Sequence, residues 1–137
     1  MSDINSSLLV SAQGLRAQTA RMRIIAENIA NAESMANTPG GDPYRRQVPV
    51  FDVQTDRETG AMGVRMSRVS PDRSDFRMRF EPGNPAADAR GYVKLPNVNS
   101  LVEMMDMREA QRAYEANLNV IESARSMMTR TLDLLRR

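Results

Sequence analysis

The residue types that most often carry chemistry are missing from this 137-residue chain. It has no cysteine and no histidine, which removes disulfides, thiolate nucleophiles, imidazole bases and the usual transition-metal ligands together. Its 17 Asp and Glu fall in turn-rich segments or on solvated helix faces, and no two are placed as an acid–base pair. Gly40-Gly41 lacks the following Lys-Ser/Thr and the strand–helix context of a phosphate-cradling loop. Met104, Met105, Met107, Met127 and Met128 could suggest a soft metal. At helical spacing, without His or Cys, they read as adaptable packing. No catalytic, cofactor-binding or metal-ligating set is expected.

The informative spacings belong to apolar and amide residues. Leu8, Leu15, Met22 and Ile29 recur every seven residues, with Ile4, Ser11, Gln18 and Ile25 as a second, half-polar row. Met107, Tyr114, Ile121, Met128 and Leu135 repeat at the same interval, and Met104, Leu118 and Leu132 sit beside them. Stripes sustained over about four heptads are what coiled-coil packing needs. Asn28 and Asn31 flank Ile29, and Asn117 and Asn119 flank Leu118. An amide on an apolar seam needs a partner, and a buried one can fix register. The small residues Ala12, Ala26, Ala30, Ala110, Ala113 and Ala124 would allow close helix approach. Gly14, inside the first stripe, costs about 1 kcal/mol relative to Ala and marks either the close approach of another backbone or simple tolerance. The candidate assembly surface is therefore Leu8, Leu15, Met22, Ile25, Asn28, Ile29, Asn31, Met107, Tyr114, Asn117, Leu118, Ile121, Met128, Leu132 and Leu135.

These rows require two long terminal helices. The first starts near Ser2 or Asp3, either of which can cap it, and fades over Asn31–Asn37 before Thr38-Pro39-Gly40-Gly41. The last restarts after Pro96, with Asn97 or Asn99 as the cap and Glu103 in the first turn, where the helix dipole favours it. Glu109–Arg112 and Glu122–Arg125 are spaced as i,i+3 ion pairs. Between the helices, three short strands are expected. The first is Tyr44–Val53, an edge strand or bulge because of Pro49; the others are Gly63–Val69 and Asp75–Phe80. Pro82-Gly83-Asn84-Pro85 then forces a turn. The expected fold is mainly α with a small β insertion (α+β), the terminal helices forming a coiled-coil-like pair. Its segments are an N-terminal helix 1–36, a loop and β-rich insertion 37–98, and a C-terminal helix 99–137.

Net charge is +2, and in 101–137 six Arg face six Asp or Glu. Nucleic-acid binders concentrate basic charge on one side, so the interleaving argues against a basic helical nucleic-acid-binding protein, the alternative from another class. All basic residues but Lys94 are Arg, from either coding bias or selection for bidentate carboxylate pairing at subunit contacts. No apolar run approaches the roughly 20 residues of a membrane span, and Met1–Ser7 lacks the layout of a cleavable signal peptide. A helix of about 30 residues is roughly 45 Å long. With three Phe, three Tyr and no Trp, little core is available to cover two such helices. The isolated monomer is expected to be marginal, its helices fraying until neighbours cover them.

The run Ala26-Glu27-Asn28-Ile29-Ala30-Asn31-Ala32-Glu33-Ser34 resembles the N-terminal signature of the flagellar axial proteins, the family of rod, hook and hook-associated subunits. Tyr114-Glu115-Ala116-Asn117 resembles that family's C-terminal signature. Residues Phe80–Val98, together with Pro43-Tyr44-Arg45-Arg46 leading into Val50-Phe51, are similar to segments of its proximal rod members. Residues 54–79 fall outside the resemblance. It implies a non-enzymatic structural subunit of the basal-body proximal rod, with paired helices forming an inner tubular layer and the β-rich insertion outside. It also implies export by the flagellar type III apparatus without a cleaved signal peptide, and a place in the rod crossing the periplasm. The implied partners are further copies and the rod subunits FlgB, FlgF, FlgG and FliE. The implied role is to pass torque from rotor to hook. Another rod or hook-like axial subunit is the alternative within the family.

Overall fold

The computed structural model describes residues 2–137. Its order is α1 (Ser2–Ala30), β1 (Gln47–Thr55), β2 (Met62–Pro71), β3 (Arg77–Phe80), β4 (Tyr92–Leu95) and α2 (Ser100–Leu135). The α+β class with long terminal helices is as expected, but the insertion differs. Instead of three strands there are four, in two separate two-stranded sheets, β1–β2 and β3–β4. The missed strand is β4. The third strand also begins two residues later than the alternation of Asp75–Phe80 suggests, at Arg77.

The helix boundaries follow local chemistry. Asn99 accepts hydrogen bonds from the Leu101 and Val102 amides at 3.1 and 3.4 Å, satisfying two of the free donors that open α2. Asn97 is used elsewhere. Met1 and the Ser2 side chain, on which part of the N-terminal capping expectation rests, lie outside the described residues. No helix is long and apolar enough to cross a membrane among the described residues.

The chain forms two compact units. Unit 1 comprises 1–22, 50–68 and 108–137; unit 2 comprises 23–49 and 69–107. In unit 1 the helices run antiparallel, with Gly14 against Asn117 and Arg21 3.5 Å from Glu109. Its buried helix positions are small: Ser11, Ala17, Ala110 and Ala124. In unit 2 the core is Ile24, Ile25, Ala32, Ala86, Val93, Leu95 and Val98. Strands β3 and β4 pair as Arg77↔Leu95, Met78↔Lys94, Arg79↔Val93 and Phe80↔Tyr92. Opposed residues share a face, so Val93 and Leu95 turn inward while Met78, Phe80 and Tyr92 lie on the outer face. Phe80 and Tyr92 meet edge-to-face with centroids 5.2 Å apart. Gly91 turns the chain into β4 at φ 86°, a conformation that glycine adopts without steric cost. A side chain there would also strike Phe80 and Pro82.

Candidate assembly surface

The rows of large residues do not form the buried seam of the helix pair in unit 1, although Ser11 of the half-polar row is buried in it. Small residues do, and the large ones beside them stay partly wet. Leu8, Leu15, Met22, Tyr114, Ile121 and Met128 are half-buried. Leu118 and Leu132 are exposed, and Leu135 is 74% exposed. Small residues at a helix contact let the backbones approach closely and displace larger side chains to the flanks. Gly14 is one point of tight contact. A Cβ built there would lie 2.7 Å from Asn117 Nδ2. The atoms nearest such a Cβ all belong to the Asn117 side chain. Asn117 itself donates to the Ala113 carbonyl of its own helix at 3.0 Å. Beside this contact lies a cleft of about 310 Å³ lined by Val10, Ala17, Phe51, Val64 and others. Gln18 Oε1 is buried without a hydrogen-bond partner among the described residues.

The amides at the end of α1 act within the chain. Asn28 is buried; its Nδ2 donates to the Gln47 carbonyl at 2.9 Å, while its Oδ1 accepts from the Gln47 amide at 3.0 Å and the Tyr44 hydroxyl at 2.6 Å. It thus stands in for a neighbouring strand at the first residue of β1. Burial, then the negative charges of Glu27 and Glu103, push the Tyr44 hydroxyl above its ordinary range, so it remains a donor. Asn31 donates to the Glu27 carbonyl at 2.8 Å and accepts from the Ser34 hydroxyl at 3.2 Å. Ile25 is buried in unit 2, and Ile29 and Met107 are half-buried.

Sequence periodicity gave no sign of the centre of unit 2. Arg46 donates from Nε to Glu103, which is only 1% exposed, and from Nη1 to Asp72 at 3.2 Å. Asp106 lies 3.9 Å from Nη2. The Arg46 amide donates to Asn97 Oδ1 at 2.8 Å, and its carbonyl accepts from the Asp72 amide at 2.8 Å. Burial works to lower the guanidinium pKa, but the bond and charge of Glu103, followed by those of Asp72, outweigh it and hold Arg46 charged. The Ser74 amide and hydroxyl, helped by Arg46, hold the Asp72 carboxyl below the usual carboxylate range. Glu103 thus anchors a buried ion pair in addition to sitting at the helix start. Arg45 crosses Phe76 4.2 Å from the ring centroid and donates to the Asp72 and Ser74 carbonyls. The sequence hints at this centre only through Tyr44-Arg45-Arg46 and Asn97, both within segments carrying the resemblance, and through Glu103 in the first turn of α2.

The ion pairs expected along α2 are not the ones formed. Glu109 reaches across to Arg21 rather than to Arg112. Glu122 and Arg125 form no salt bridge among the described residues.

Comparison with known proteins agrees with this geometry. The profile described as flagellar basal body rod FlgEFG protein C-terminal matches residues 89–134, a span covering β4 and most of α2. The class is that of the flagellar basal-body rod proteins. A protein named flagellar basal-body rod protein FlgC from Agrobacterium fabrum is 47% identical over 136 residues, covering 99% of this chain and 98% of its own length. Proteins of the same name from Yersinia enterocolitica and Escherichia coli O6:H1 are 42% and 40% identical, each alignment covering 91% of this chain and 92% of the relative. The chain belongs to the FlgC family and is a structural subunit of the bacterial flagellar basal-body rod.

Proposed function

We propose that this subunit occupies the proximal rod and assembles through the rows of large residues that flank its small-residue helix seam. The observation carrying this reading is the state of those rows. After the chain's own helices have met, Leu118, Leu132 and Leu135 remain exposed and Leu8, Leu15, Ile121 and Met128 half-buried. Completing the burial of such side chains is worth about 1 kcal/mol or more each, and contacts on several sides would stiffen the finished rod. The neighbours are further copies and the rod subunits FlgB, FlgF, FlgG and FliE, and the assembled helices form the inner layer around the axis. The segments 1–36, 37–98 and 99–137 then act as inner helix, outer insertion and inner helix. The subunit passes torque from rotor to hook without catalysis, consistent with its relatives being structural rod proteins. It leaves the cell body through the flagellar type III apparatus and takes its place in the rod as it crosses the periplasm. A subunit whose helices complete their burial only on assembly is easily kept unfolded for a narrow channel.

Ile121→Asp tests the reading. A carboxylate on a surface destined for burial costs several kcal/mol. Cells carrying this variant should synthesise the chain, lose motility and yield basal bodies without complete rods. Normal swimming would show that the row faces no partner.

A further inference from the structure

Each small sheet has two edge strands, and one edge of each sheet matches the other. In β4 the Tyr92 carbonyl accepts from the Asp88 amide and the Tyr92 amide donates to Asp88 Oδ1. The backbone of Tyr92 therefore faces away from β3, while Glu81 donates to the Gly91 carbonyl. Phe80 and Tyr92 are thus a non-hydrogen-bonded pair, and by alternation the backbone groups of Met78 and Phe80 point out of the free edge of β3. All four β3 residues are exposed, Phe80 at 60%. In β1 the Asp56 amide donates to the Ala61 carbonyl across the hairpin, so alternation turns Val53 and Phe51 toward the other edge. Residues 52–55 are all exposed, Val53 at 64%.

We propose that the β3 edge of one copy pairs antiparallel with the β1 edge of a neighbouring copy, a strand addition between subunits. One register satisfies backbone and side chains together. Met78 opposes Val53 and Phe80 opposes Phe51 as hydrogen-bonded pairs, leaving Arg79 opposite Asp52 and Arg77 opposite Gln54. Apolar pairs then lie on one face, with an opposite-charge pair on the other. Exposed, apolar edge strands are templates for pairing unless something covers them. Neither edge carries a proline at the paired positions. Arg79 already meets Glu33 at 3.1 Å and Glu81 at 3.4 Å, but these are exposed pairs that solvent screens, and the guanidinium can share a further carboxylate. Because the two edges differ, the contact is heterologous and propagates from copy to copy as a ring or helix. This pairing rests on the reading that copies are neighbours in the rod.

The absence of cysteine makes the test direct. Asp52→Cys and Arg79→Cys are placed in one chain, expressed in a strain lacking the native protein, and basal bodies are oxidised and run without reductant. Non-hydrogen-bonded antiparallel pairs hold Cβ atoms close enough for a disulfide. A reducible ladder of cross-linked copies, absent from either single variant, is expected. Monomer alone in basal bodies that contain the chain would overturn the pairing and leave the rod reading intact. So would dimers from a single-cysteine variant, which would mean like edges meeting. Absence of the unsubstituted chain from purified basal bodies would overturn the rod reading and the pairing with it. Charge reversal is the second measurement. Arg79→Asp should impair swimming and Asp52→Arg should restore it in the double variant. No recovery would overturn the register.

Discussion

Replacing Asn28 by Ala should loosen unit 2 without touching an apolar side chain. The side chain makes three hydrogen bonds, two to the Gln47 backbone and one with the Tyr44 hydroxyl, at 2.6–3.0 Å. At about 1 kcal/mol net for each neutral bond, the truncation costs about 3 kcal/mol. Tyr44→Phe removes only the shortest of the three, for about 1 kcal/mol. Because Asn28→Ala already removes that bond, the double variant should lose about 3 kcal/mol rather than about 4, a coupling of about 1 kcal/mol. Asn28→Asp is a sharper variant of nearly equal size. It keeps the acceptor but presents a second acceptor to the Gln47 carbonyl, and places a negative charge near Glu27 and Glu103. The assay is urea unfolding of the purified chain by tyrosine fluorescence, with amide exchange read at Gln47. An Asn28→Ala variant within about 0.5 kcal/mol of wild type, or a strictly additive cycle, would refute the network as a stability element.

In the isolated chain, amide exchange should be fast over 3–22 and 108–137 and slower around 24–32 and 93–98, where unit 2 is buried; uniform protection across both helices at dilute concentration would refute assembly-completed burial. Gly14→Ala gains about 1 kcal/mol of helix propensity, but it drives a Cβ to 2.7 Å from the Asn117 amide. Incorporation into basal bodies should fall and then recover when Asn117→Ala is added; unchanged incorporation of the single variant would refute the contact. The folded Asp72 carboxyl titrates below its unfolded value, so its contribution is complete above the ordinary carboxylate range and disappears as pH falls through the folded value. Stability measured between about pH 6 and pH 3 should therefore decline less steeply in Asp72→Asn than in wild type, and parallel profiles would refute the assignment.

The parts legible in the sequence are those set by neighbours along the chain. Heptad spacing, the Asn99 cap and the proline–glycine stops place both helices to within a few residues. Strand β4 was hidden because Tyr92–Leu95 is four residues long, followed by Pro96, and becomes a strand only through pairing with 77–80. Asn28 stood out as a polar residue on an apolar row, but periodicity describes one helix and says nothing of Gln47, 19 residues away. Glu103 fitted a helix-dipole role locally, yet what buries it is Arg46, 57 residues distant. The heptad rows themselves illustrate a different limit. Spacing identifies a face as apolar but does not say which of two neighbouring stripes the chain will use internally. Here van der Waals size decided, with Ser11, Ala17, Ala110 and Ala124 taking the buried intramolecular positions.

Arg46 also sets an order of events during folding. It joins partners 26, 51 and 57 residues away through Asp72, Asn97 and Glu103. Helical turns form from local contacts in about a microsecond or less, whereas closing loops of this length must wait for every residue between their ends to be free. A partly released chain therefore acquires helix early and cannot lock Arg46 in place until the entire stretch from Arg46 to Glu103 has emerged. The guanidinium closes only after the whole β-rich insertion and the first turn of α2 are free.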